Sequence, residues 1–216
     1  MISKKLLRAL LVLSVFTCFL SKAQKIALKA TDVILSQVTA KDAKYKNKNA
    51  LVLDIKGEVT NEKTLALLKN IDFHNGTIEA TISGQPNSNA SETARGFVGI
   101  AFRVAEDISK MEVFYLRPTN GRANDQVRRN HSTQYISWPE YPWEKLRKET
   151  PEKYEAYADM MPGEWIKVKI EVKGEMAKLY VNGASQPTLI VNDLKQGGNL
   201  RGGIGHFTDL KITKED

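Results

Sequence analysis

The sequence predicts an all-β protein: two antiparallel sheets packed as a jelly-roll sandwich, with one short helix at most. Three observations carry this. Apolar and polar residues alternate with period two in one stretch after another, turn residues recur between those stretches, and no segment sustains the 3.6-residue period of a long helix. The clearest stretch is "EWIKVKIEVKG" at 164–174, where Ile166, Val168, Ile170 and Val172 interleave with Lys167, Lys169 and Glu171. A strand written this way has one dry face and one wet face.

The chain opens with a segment that is read separately. Lys4, Lys5 and Arg8 form a positive leader, Ala9 to Leu20 is an apolar run too short to span a bilayer, and Ser21-Lys22-Ala23 places small residues at −3 and −1 of a cut before Gln24. Residues 1–23 are therefore expected to be a cleaved signal peptide. Residues 24–216 are expected to form a single exported domain, periplasmic or extracellular, with no membrane span after cleavage. Within that domain, "KDAKYKNKN" at 41–49 reads as a solvated loop and "ALVLDIKGE" at 50–58 as a strand. Leu65 to Leu68 suits one helical turn. "IDFHNGTIEATIS" at 71–83 reads as two strands about a turn at Asn75-Gly76. "FVGIAFRV" at 97–104, "MEVFYLRP" at 111–118 and "TQYISW" at 133–138 read as successive strands. Thr150-Pro151 marks the start of the one expected helix, running to Met160. After the strand at 164–174, a tight turn at Gly174-Glu175 leads to strands at 176–183, 188–191, 202–207 and 210–212.

Composition narrows the function classes. The whole chain has 32 basic and 25 acidic residues, but four of the basic ones lie in the leader, so residues 24–216 carry 28 against 25, a formal charge of +3. That balance, without a dense basic stripe, argues against nucleic acid as a partner. The single cysteine, Cys18, also lies in the leader. The domain has no disulfide and depends on its hydrophobic core.

The chemistry of several familiar site types is missing. No E-x-D-x-E run places paired carboxylates on one strand face, as a retaining glucanase of sandwich type requires. The acidic cluster Glu149, Glu152, Glu155 and Asp159 has helical spacing and reads as a solvated helix face. His74, His131 and His206 are widely separated with no zinc-ligand spacing, so no metal site is assigned. No cofactor is implied, and a calcium site built from carbonyls and scattered aspartates would leave no motif.

The order "FHNGTIEA" at 73–80, "GFVGIAFR" at 96–103, "GEWIKVKIEVKG" at 163–174, "AKLYVNG" at 177–183, "LIVNDL" at 189–194 and "GGIG" at 202–205 resembles the concanavalin A-like lectin/glucanase superfamily. Within it, the pattern looks most like the laminin-G-like and 3-keto-disaccharide-hydrolase-like domains of exported bacterial proteins. The resemblance implies a curved two-sheet jelly roll. It also implies carbohydrate handling on a sheet face or at the strand-end rim: a carbohydrate-binding domain of a glycan-utilisation system, a glycoside-cleaving hydrolase or lyase, or an adhesion module.

The residues that suit a glycan or glycoside ligand cluster in 103–143. If Val98, Ile100 and Phe102 point into the core, Gly99, Ala101 and Arg103 lie opposite, beside Tyr115 and Arg117 on the next strand, as a shallow groove with planar donors and an aromatic wall. Asn120, Arg129, Gln134, Tyr135 and Trp138 extend that lining, because sugar rings stack on aromatic faces while amides and guanidiniums satisfy their hydroxyls. His131, which titrates near neutrality, is the candidate for acid–base work.

Overall fold

The computed structural model describes residues 28–56, 63–88, 90–207 and 210–213. The expected signal peptide lies outside them. Fourteen strands and two α-helices follow in chain order: β1 (Val33–Ser36), β2 (Val38–Tyr45), β3 (Lys48–Ile55), β4 (Leu65–Leu68), β5 (Gly76–Gly84), β6 (Val98–Val104), β7 (Met111–Leu116), α1 (Gln126–Asn130), β8 (Thr133–Trp138), α2 (Trp143–Glu149), β9 (Glu155–Ala156), β10 (Ile166–Lys173), β11 (Met176–Val181), β12 (Leu189–Val191), β13 (Gly203–Phe207) and β14 (Leu210–Thr213). They form two seven-stranded sheets, ordered β1-β4-β13-β6-β7-β8-β9 and β12-β11-β10-β5-β14-β3-β2. Neighbouring strands in both sheets run antiparallel, so the chain is the two-sheet sandwich that the alternation predicts.

The second sheet follows period two closely. Ile166, Val168, Ile170 and Val172 of β10 are buried, and so are their neighbours Leu179 and Val181 on β11, while Lys167 and Lys173 face water. Gly174, at φ +58°, makes the expected turn between these strands.

The first sheet departs from that pattern. Every residue of β6 and β7 is buried, as is all of β8 except the half-buried Trp138. One face, with Ile100, Phe102, Phe114 and Tyr135, meets the second sheet; Phe102 and Phe114 stack with ring centroids 6.0 Å apart. The opposite face, with Tyr115, Gln134 and Ile136, lies under α2, whose Leu146 joins the core. The open groove expected beside Gly99 and Ala101 therefore does not form. With both faces covered, period two marks direction without marking exposure.

Four local expectations are corrected. The segment 41–49 is a hairpin of β2 and β3, not a loop; β2 is an edge strand, where lysines discourage pairing with another chain. Leu65 to Leu68 is strand β4, buried at all four positions. Asn75-Gly76 does not join two strands: β5 starts at Gly76, and residue 73 makes only an isolated bridge to Gly202. Two helices stand where one was expected, and neither covers 151–160. The Thr150 hydroxyl donates to Leu146 O at 3.0 Å, so Thr150-Pro151 closes α2 instead of opening a new helix.

Candidate functional site

At one end of β8 the chain gathers a polar cluster around a single carboxylate. Asp125 caps α1 by accepting a hydrogen bond from Arg128 N at 2.6 Å, and the helix ends at His131, directly before β8. The segment after α2 returns beside β8 as β9, placing Glu155 opposite Gln134. Thr133 Oγ1 donates to Ala156 O at 2.9 Å, and Ala158 N donates to Ser132 Oγ at 2.8 Å, so 155–158 runs extended along the sheet edge. Along it Glu155 and Ala158 are buried and Tyr157 is 41% exposed. The turn at Gly121 backs this segment closely; a Cβ there would stand 2.5 Å from Met160 O.

Glu155 is buried and shared by three groups. Arg117 Nη1 donates to its Oε1 at 3.3 Å, Arg147 Nε donates to its Oε2 at 2.9 Å with Nη2 reaching Oε1, and His131 Nδ1 lies 3.0 Å from Oε2, off the line of a good hydrogen bond. Arg117 also donates to His131 O at 2.9 Å, the Tyr115 hydroxyl at 2.8 Å and Gln134 Oε1 at 3.2 Å, and its guanidinium lies 4.9 Å from the Tyr115 ring centroid. Asn120 Nδ2 donates to the same His131 carbonyl at 3.2 Å. Arg147 lies 4.6 Å from the Trp143 ring centroid.

Above this floor opens a cleft of about 180 Å³, lined by Asn130, His131, Glu152, Glu155, Ala156 and Tyr157. Arg129 flanks it, its guanidinium 5.0 Å from the Tyr157 ring centroid and Nη2 donating to the Tyr157 hydroxyl at 2.8 Å. Burial lowers the His131 pKa; Glu155 opposes this, while Arg147 and Arg117 add to it. That shift favours the neutral imidazole at the cleft.

The structure brings together Tyr115, Arg117, Asn120, His131 and Gln134, with Arg129 at the cleft's edge. It separates Arg103, Tyr135 and Trp138 from them. Arg103 is fully buried at a bulged position, φ +51°, and donates to His74 O, Gly197 O, Gly174 O and Asn75 Oδ1 at 2.8 to 3.2 Å. These bonds tie β6 to the β10–β11 turn and to the loop at Gly197. Tyr135 points inward; its hydroxyl donates to Glu112 Oε2 at 2.6 Å and accepts from Lys195 N at 2.8 Å, while Glu112 Oε1 accepts from Gln196 N at 2.8 Å. Burial raises the Glu112 pKa against the pull of those bonds. Trp138 ends β8 at the far side from His131, and its carbonyl accepts from Gln196 Nε2 at 3.1 Å.

Glu155 and Tyr157 of the cleft, and Arg147 beneath it, were not singled out from sequence as site residues. Glu155 read as part of a solvated helix face, and is instead a buried strand residue. Tyr157 gave no local signal, because only the return of the chain after α2 brings it to His131; Arg147, on α2, joins the site only through Glu155. Among the described residues no group of three His, Cys, Asp or Glu side chains is placed to hold a metal ion, and no helix is long and apolar enough to cross a membrane.

No protein-family model and no curated protein matches this sequence. Among solved structures, the fold is similar to a carbohydrate binding module, CBM66, from Bacillus subtilis, with TM-score 0.51 and 11% identity over 83% of this chain and 92% of that one. It is also similar to a protein of unknown function with a galectin-like fold from Bacillus subtilis, with TM-score 0.50 and 13% identity over 85% of this chain and 86% of that one. At such identities the likeness is one of fold.

Proposed function

We propose that this protein is an exported carbohydrate-binding domain that holds a glycan in the rim cleft between His131, Glu155 and Tyr157. One observation carries the reading. Residues whose chemistry suits sugars converge on a cleft with an exposed aromatic ring, guanidiniums at its edge and a held carboxylate at its floor. Tyr157 offers a face for a pyranose ring, backed by Arg129, and the part-exposed His131 and the exposed Asn130 offer polar atoms to hydroxyls. The fold supports the reading by analogy, since a structurally similar domain is a carbohydrate binding module. Export follows from the leader at 1–23, and a place in glycan utilisation from both together.

The test is a panel of plant, algal and host glycans offered to the purified protein, with binding and product release recorded together. Binding that falls about tenfold in Tyr157→Ala without loss of fold supports the reading. Absence of binding to every glycan would refute it.

One observation favours a second reading, cleavage of a glycosidic bond. His131 stands at the cleft with Nδ1 3.0 Å from the Glu155 carboxylate and a pKa lowered by burial, the proximity of a base to a carboxylate that a small rotation of the ring would turn into a hydrogen bond. Product release that disappears in His131→Ala while binding persists would select this reading over simple recognition.

A further inference from the structure

The cleft beside His131 is small for a glycan. Its volume of about 180 Å³ lies below the roughly 300–1,000 Å³ of sites that enclose a whole small-molecule ligand, so it has room for a single sugar ring. A longer chain seated there has to leave the cleft over the neighbouring surface. Tyr157 marks the way out, because it lines the cleft and also begins a ridge of extended chain.

Burial alternates along this ridge. Tyr157, Asp159 and Met161 are exposed, and Ala158 and Met160 between them are buried. At the rise of an extended chain, Tyr157 to Met161 spans about 13 Å, more than the length of one hexose ring. The outward side chains are held in place. Tyr157 is gripped by Arg129 through its ring and its hydroxyl. Asp159 accepts a two-pronged pair from Arg122, Nε to Oδ1 at 2.7 Å and Nη2 to Oδ2 at 2.9 Å, while Arg122 Nη1 donates to Met161 Sδ at 3.1 Å. The backbone beneath is tied down as well: Ala158 N donates to Ser132 Oγ, Asn182 Nδ2 donates to Asp159 O at 3.1 Å, and the turn at Gly121 packs directly against Met160. A surface ordered before its ligand arrives loses little freedom on binding.

The ridge carries the chemistry that a run of sugar units needs. An aromatic ring at one end and a thioether at the other offer apolar contact to C–H faces. Between them, Arg122 uses three of its five N–H donors on Asp159 and Met161 and keeps two, and the Asp159 oxygens keep acceptor capacity, on side chains 59% and 54% exposed. An exposed pair of this kind adds little to stability. It does set donors and acceptors side by side, the pattern that adjacent hydroxyls of a sugar match.

We propose that the ligand of the cleft is a linear glycan of at least three units, with one ring in the cleft against Tyr157 and the next ones along the ridge, on the Arg122–Asp159 pair and Met161. The proposal rests on the carbohydrate reading and adds to it the chain length, the path and the residues that read them.

The test is calorimetric titration of the full protein with cello-, laminari-, xylo-, manno- and inulo-oligosaccharides of one to six units. For a series that wild type binds, affinity is expected to rise about tenfold or more from one unit to three and then to level off. The ratio of three-unit to one-unit affinity is the readout. Arg122→Gln/Met161→Ala should bring it to about one, and Asp159→Asn should lower it part of the way. Asp159→Asn also keeps the test decisive if the double variant unfolds. Arg201→Gln breaks a similar exposed pair, with Asp72, at the opposite end of the first sheet, and should leave the ratio at its wild-type value. Tyr157→Ala should instead weaken binding at every length. A wild-type ratio of about one would overturn the proposal in favour of a site for a single terminal sugar. A high ratio that survives both ridge variants would overturn it in favour of another path out of the cleft, and so would binding of a panel glycan with no binding of any linear series. Failure of the carbohydrate reading would look different: no oligosaccharide and no panel glycan would bind wild-type protein, and the proposal would fall with that reading.

Discussion

Arg103 and Arg117 occupy comparable places, at or just beyond the end of neighbouring strands, and each guanidinium makes four hydrogen bonds. Their acceptors separate them. Those of Arg103 are neutral backbone or amide oxygens drawn from three distant parts of the chain. Those of Arg117 include a carboxylate that a histidine and a second arginine also touch, at the floor of an open cleft. A buried cation that ends on backbone holds the fold; one that ends on titratable side chains at a cleft is placed, under the proposed function, beneath the ligand. Saturation alone does not reveal function, whereas the identity of the partners does.

The largest expected effect lies on the Arg103 side. Arg103→Met leaves three carbonyls without their donor, while Asn75 Oδ1 keeps only its bond from Gly174 N, and a loss of more than about 3 kcal/mol in urea unfolding is expected. A smaller loss would mean that water replaces the guanidinium. Tyr135→Phe tests the other interior node. It removes the hydroxyl that bonds Glu112 Oε2 and Lys195 N, and about 1–3 kcal/mol is expected to be lost with no change in ligand affinity.

The rim side is expected to respond to pH. Burial holds the folded-state His131 pKa below its ordinary value, so the unfolded chain binds a proton first as pH falls. Stability is therefore expected to decline below about pH 6.5, and this decline should be shallower in His131→Gln. Urea midpoints measured at about pH 8 and pH 5.5 check it. A steeper acid limb has a separate source. Burial raises the Asp193 pKa, but hydrogen bonds from Lys153, Lys195 and Tyr154 outweigh it and bring the group to about 2. The stability this group supplies is complete above its unfolded value of about 3.8 and is lost as pH falls toward 2, a loss that Asp193→Asn removes. Tyr157→Ala should have the smallest effect on stability, within about 0.5 kcal/mol, since its ring is exposed.

These contrasts follow the line between what local sequence encodes and what it does not. β10 was legible because one of its faces is wet, so the pattern of Ile166 to Val172 reports burial directly. The β6–β8 block was legible as strands but not as a surface, because α2 covers the face that alternation leaves over. β4 is a short apolar run buried on both faces, which periodicity does not distinguish from a buried helical turn. Thr150-Pro151 suits either end of a helix, and only the bond to Leu146 O decides which. At the site, His131, Arg117 and Gln134 were visible because they lie on or beside the neighbouring strands β7 and β8. Glu155, Arg147 and Tyr157 were not, because their meeting with His131 depends on how the chain returns after α2.

The central claim is that the ligand sits in the rim cleft and not on a sheet face. The most direct measurement is the affinity of Tyr157→Ala, beside Lys169→Ala/Tyr180→Ala on the wet face of the second sheet, for the tightest-binding glycan of the panel. This account predicts that the cleft variant loses about tenfold and the sheet-face variant retains wild-type affinity. Retained affinity in the cleft variant with loss in the sheet-face variant would contradict it and move the site to the face of β10 and β11.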